Sequence, residues 1–179
     1  MRFKFTGFTA VITIMVILIL ILTFMLLFIE PKPPRKLPAA TGNTEKIMKE
    51  PIFRKDGNLM FLNGKSGKLI FEAEIEVAKT PEAQEQGLMY RKHMPESAGM
   101  LFVFNVSEPL TFWMRNTIIP LDIIYADSAK RIVTIARNTI PYSDAQIPSG
   151  KAAMYAVEMN AGFAAKYKVK EGDIIDFRY

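Results

Sequence analysis

Ile70-Phe71-Glu72-Ala73-Glu74-Ile75-Glu76-Val77-Ala78 alternates with a period of two: Phe71, Ala73, Ile75 and Val77 fall on one side, Glu72, Glu74 and Glu76 on the other. Successive side chains of an extended chain point to opposite faces, so the stretch predicts a strand with one dry face and one wet face. Just downstream, Thr80-Pro81-Glu82 supplies a capping hydroxyl, a proline suited to a first helical turn, and an acid at the positive end of the helix dipole. A short helix should begin there and weaken at Gly87. Gly99-Met100-Leu101-Phe102-Val103-Phe104 is short and almost wholly apolar, which suits a central strand buried on both faces.

Farther along, residues 111–117 and 121–126 read as strands separated by Pro120. The second forms a hairpin with residues 131–137 around Asp127-Ser128. Residues 152–159 read as another strand, Asn160 as the cap of a short helix through about Tyr167, and Glu171-Gly172-Asp173 as the turn into a final strand. The expected class is α+β and mainly β, a small barrel-like curled sheet with two short helices, over residues 51–179.

Upstream of this body the composition changes. Residues 30–50 hold Pro31, Pro33, Pro34 and Pro38 among polar and charged residues, a proline-rich tether extending on the order of 3 Å per residue. Residues 8–29 carry no charge, and only Thr9, Thr13 and Thr23 interrupt the apolar run. A helix of that length reaches about 33 Å, enough for a hydrocarbon core of about 30 Å, so it predicts a transmembrane anchor after a short flank, residues 1–7. The alternative is a cleaved signal peptide. That would need a shorter apolar region and a nearby small-residue site, whereas Glu30-Pro31-Lys32 follows directly and Pro38-Ala39-Ala40 lies far beyond. Arg2 and Lys4 before the span, and Lys32, Arg35 and Lys36 after it, leave the orientation open on charge alone.

Composition excludes several functions. The 179 residues include no cysteine and one histidine, which rules out a disulfide framework, a Cys/His zinc site and a thiol nucleophile. The net charge of +5 resides mostly in residues 1–50, with seven basic and three acidic side chains. Residues 51–179 hold sixteen and fifteen, without a basic stripe, so nucleic acid is not an expected partner and membrane lipid is. There is no Walker loop, G-x-G-x-x-G or G-x-S-x-G, and no cofactor is implied. No acidic cluster has calcium-loop spacing. Glu72, Glu74 and Glu76 read as a solvated row rather than a metal site, and His93 as a surface residue.

Ligand-binding candidates centre on Phe112-Trp113-Met114-Arg115-Asn116-Thr117. If Phe112 and Met114 enter the core, Trp113 and Arg115 project together, an aromatic surface beside a cationic fork that suits a ligand or a partner's acid. The plainer reading has Trp113 cap the core and Arg115 pair with a nearby carboxylate. Asn116 could brace the following turn, and Arg91 could join the groove or pair with an acid. Asp122 lies on the face of Ile124, and Glu158 on that of Met154 and Ala156. As semi-buried carboxylates they could serve as acid and base in a hydrolase, or as salt-bridge partners of Arg91 or Arg115.

Gly87-Leu88-Met89-Tyr90-Arg91, the 99–104 run, the 112–117 run, Ile119-Pro120-Leu121-Asp122-Ile123-Ile124, Tyr155-Ala156-Val157-Glu158 and Gly172-Asp173 follow in an order and spacing that resembles a bacterial and archaeal family, the domain of unknown function numbered 192, over about residues 68–179. The resemblance implies a compact, mainly β, barrel-like domain that often follows a signal sequence or membrane anchor. It therefore implies a location on the periplasmic side of the inner membrane, and it brings no known activity. The expected function is a membrane-anchored binding or accessory module of the cell envelope, with Arg91, Trp113, Arg115, Asn116, Asp122 and Glu158 as candidate ligand or partner contacts. An envelope hydrolase using Asp122 and Glu158, and an accessory subunit of an inner-membrane complex, are the alternatives.

Overall fold

The computed structural model describes Met15, Ile17, Leu20, Ile21, Phe24 and residues 50–179. In chain order its elements are β1 (Gly57–Leu62), β2 (Leu69–Ala78), α1 (Pro81–Gln86), β3 (Ala98–Phe112), β4 (Leu121–Ala126), β5 (Ile132–Ala136), β6 (Ile147–Asn160), α2 (Phe163–Lys166) and β7 (Ile174–Arg178). The strands form a single sheet of order β5-β4-β6-β3-β2-β1-β7, with the apolar strand β3 at its centre. Only β2 and β3 pair in parallel, through the crossover that contains α1, and every other pair is antiparallel.

The sheet curls because its outer strands approach each other. Arg131 bridges to Ile174. Around that bridge the Ile132 N–H donates to Asp173 O at 2.8 Å, the Gly172 N–H to Ile132 O at 2.9 Å and the Ile175 N–H to Lys130 O at 2.9 Å. The result is a half-barrel with two packed faces. Leu59, Phe61, Ile75, Leu101, Ile124 and Val157 fill the inner face with Phe163 of α2. Met100, Phe102, Leu121, Ile123, Tyr125 and Ala156 form the outer face, covered by Leu88, Met94 and Met114 from the connecting loops. Each of the Leu, Ile, Val, Met and Phe side chains contributes about 1.5–3 kcal/mol when fully buried. At the centre Gly99 is required: a Cβ there would lie 2.4 Å from Met159 Sδ and 2.8 Å from the Glu158 carbonyl.

The mainly β class with two short helices stands, and four local expectations change. β1 is an additional strand, and β3 continues through register shifts to Phe112. Residues 113–117 are not a strand. The Met114 N–H turns to Ser143 O at 2.9 Å, and Asn116 adopts φ 55°. Helix α2 begins after Gly162, while the Asn160 amide donates to the Met94 and Pro95 carbonyls, each at 3.1 Å. Glu76 leaves the wet row: it is buried because Arg91 folds over it.

The five described residues of the expected span are helical and exposed, and among the described residues no helix is long and apolar enough to cross a membrane. The rest of residues 8–29, the flank 1–7 and the tether up to residue 49 lie outside the described residues.

Candidate functional site

One wall of a cleft on the outer face is built by α1. The Thr80 hydroxyl accepts the Ala83 N–H at 3.3 Å to start the helix, and the Gln84 side-chain amide donates to Val103 O at 2.8 Å, tying it across β3. At Gly87 the backbone reaches φ 45°, a left-handed value that an L side chain resists, and turns back over the sheet. The Tyr90 N–H then donates to Asn116 O at 2.9 Å, joining this wall to the turn after β3. Between the walls lies a cavity of about 300 Å³, lined by Leu88, Met89, Phe102, Phe104, Phe112 and Trp113 and by Glu85 and Thr117, with Glu158 also at its surface. A second recess of about 270 Å³ shares Trp113, Met89 and Glu85 with the first and adds Glu82, Tyr90, Arg115 and Asn116.

Glu158 is the chemically unusual member. It lies opposite Met100 of β3 and Ile123 of β4, is 5% exposed, and its Oε2 has no hydrogen-bond partner among the described residues. A Cβ at Gly87 would sit 3.9 Å from that oxygen, so the glycine turn packs directly above it. Burial among apolar groups penalises the charged form and pushes the carboxyl up to about 8. At neutral pH it is chiefly a neutral acid, able to donate a hydrogen bond or a proton, or to ionise when a cation arrives. Below it the buried Tyr125 hydroxyl donates to Ile147 O at 2.6 Å, and its pKa is raised, first by burial and then by the charge of Glu158.

At the rim Trp113 is 42% exposed, and the Arg115 guanidinium stands 4.1 Å from its ring centroid. Arg115 Nε also donates to Asp144 at 2.7 Å, so both readings of this arginine coexist. The pair projects as expected, though from a turn and not a strand, with Met114 fully buried between them. Asn116 lines the second recess, and its amide lies 3.8 Å from Met89 Sδ.

Two candidates are withdrawn from the cleft by their packing. Arg91 is buried in a two-pronged pair with Glu76, at 2.6 and 2.7 Å, and Glu76 also accepts the Arg54 N–H at 2.9 Å. Asp122 is fully buried and accepts the N–H groups of Asn138 at 2.9 Å, Gly162 at 3.2 Å and Ala164 at 2.9 Å, holding α2 and the loop after β5. The β4–β6 register aligns Ile123 with Glu158 and Asp122 with Met159, so the two carboxylates point to opposite faces of the sheet. They cannot act as an acid–base pair on one substrate.

The sequence reading did not single out Glu85, Gly87, Phe102, Phe104 or Phe112 as cleft residues. The aromatic residues carry an ordinary core signal, and only the fold shows that they meet an open space. His93 is exposed, 3.7 Å from Glu50. Among the described residues no three of His, Asp and Glu converge to hold a metal ion.

Residues 62–177 match the family DUF192, described as uncharacterized ACR. A crystal structure described as a candidate transcription regulator from Sinorhizobium meliloti 1021 is similar at 36% identity and a TM-score of 0.65, over 68% of this chain and 92% of that one. A protein of unknown function from Novosphingobium aromaticivorans DSM 12444 is similar at 32% identity and a TM-score of 0.63, over 77% and 99% of the two chains. No curated protein matches.

Proposed function

The chain belongs to the DUF192 family, whose function is unknown, and we propose that it is a binding module whose ligand seats in the cleft between α1 and the end of β3. The observation that carries this reading is the Glu158 oxygen, buried without a partner at the surface of an aromatic cavity. Proteins satisfy buried polar atoms almost everywhere, and an unsatisfied one in a concave, perturbed environment is a mark of function. The proposal extends to location: residues 8–29 hold the module at the inner membrane, and residues 30–50 set it off on the extracytoplasmic side. The length and lack of charge of the apolar run support this part.

The alternatives have less support. A hydrolase with two carboxylates would need Asp122 and Glu158 on one side of the sheet. An accessory subunit recruited through residues 8–29 would place its contacts on a segment of which five residues are described. The transcription-regulator description belongs to the Sinorhizobium protein, and the near-balanced charge of residues 51–179 gives no electrostatic footprint for nucleic acid.

Trp113 is the chain's single tryptophan, so its emission reports on this site alone. With the full chain in dodecyl maltoside micelles, the neutral aromatic dye N-phenyl-1-naphthylamine should quench Trp113 saturably, and empty micelles plus free tryptophan should give only a linear response. A linear response from the protein would refute the cleft as a ligand seat. Protease added outside intact spheroplasts should remove the domain and spare the span. A protected domain would refute the location.

A further inference from the structure

We infer that the cleft selects a small organic cation: a primary ammonium on an apolar body, with the charge met by Glu158 and the body held among Phe102, Phe104, Phe112 and Trp113. This rests on the cleft being a ligand site and adds the ligand's charge and shape.

The inference follows from the ionisable groups around the first cavity. Glu85 and Glu158 line it, and among the described residues no lysine, arginine or histidine does. Arg115 belongs to the adjoining recess and is already engaged by Asp144 and the Trp113 ring. An anionic ligand would therefore meet two acids without a counter-ion. A purely apolar ligand would displace water and leave Glu158 Oε2 still buried without a donor. An ammonium supplies three donors and a positive charge, and the aromatic rings offer it their negative faces.

Binding then moves one proton. In the free protein Glu158 holds its proton over the neutral range, since burial raises its pKa to about 8. The arriving R–NH₃⁺ stabilises the carboxylate, the O–H bond of Glu158 breaks, and the proton leaves to solvent, so the bound state is R–NH₃⁺ against Glu158–COO⁻. The titratable groups near Glu158 are Glu85 on α1 and Tyr125 on β4. β3 presents Met100 and Phe102, and the turn above presents Gly87. Tyr125 is committed to Ile147 O and held protonated by burial, so of these two buried groups Glu158 is the one that titrates.

The probes are phenethylamine, 2-phenylethanol and 3-phenylpropionate, matched in shape and differing in charge, added to the full chain in micelles. Trp113 emission is followed from pH 5 to 9, and calorimetry at pH 6.5 is run in two buffers of different ionisation enthalpy. Phenethylamine should bind at least tenfold more tightly than the other two. Its affinity should rise up to about tenfold per pH unit until pH about 8, with close to one proton released. Glu158→Gln should lose most of that affinity and all of the slope, and the slope in the unaltered protein tests the inference whether or not the variant folds. Equal or tighter binding of the alcohol or the acid, or a pH-independent affinity for the amine, would overturn cation selection and leave the ligand site standing. No saturable response to any of the three would overturn both.

Discussion

Asp122 on β4 and Glu158 on β6 are buried carboxylates on adjacent strands, one register position apart, and the two faces of the sheet treat them oppositely. On the inner face Asp122 receives three backbone N–H groups and anchors two segments. On the outer face Glu158 has an oxygen with no partner and opens onto a cavity. Burial of an acid is therefore a poor guide to function by itself. What separates a structural carboxylate from a site residue is whether the fold supplies donors to it, because an unsatisfied buried group costs stability that packing alone does not return.

The contrast can be broken by substitution. The largest effect is expected for Asp122→Ala, which strands three backbone donors in the interior and should cost about 3–5 kcal/mol in urea unfolding. A loss under about 1 kcal/mol would mean that water replaces the carboxylate, and the structural role would fail. Next comes Glu158→Gln, with the opposite sign. The folded protein holds a proton on Glu158 that the unfolded chain releases between the ordinary carboxyl value of 4.5 and about 8, so this group lowers stability as pH rises through that window. The variant should match the parent near pH 4 and exceed it at pH 7, by about 3 kcal/mol if the amide is tolerated. Parallel unfolding curves across pH 5 to 8 would show that Glu158 finds a partner in solution. The smallest effect is expected for Gly87→Ala. It should lose about 1–2 kcal/mol through its left-handed φ, and its methyl, 3.4 Å from Phe102 Cζ, should weaken probe binding at the cleft. Unchanged probe binding would detach the Gly87 turn from the site.

The same contrast shows what was legible in the residues. Alternation places Glu158 with Ala156 and Asp122 with Ile124, and both assignments hold, because side-chain parity is a local property. The apolar 99–104 run marks the central strand for the same local reason. Partners are not local. The donors to Asp122 come from residues 138, 162 and 164, and Arg91 reaches back to Glu76, so neither position announces its role in sequence. β1 escaped because Gly57–Leu62 has weak alternation of its own and is specified by β2 and β7 on either side. The outer end of β3, through Glu108 and Pro109, is exposed and shifted in register, which erases the period.

One pairing bears on the order of events in making the protein. β1, the first strand of the domain, lies beside β7, the last, with Asn58 opposite Arg178. Until residues 174–178 have been synthesised, β1 lacks this neighbour, and no shorter nascent chain can lock the sheet shut. A polypeptide threaded through a pore from its N-terminus would thus stay pliable until β7 had cleared the channel.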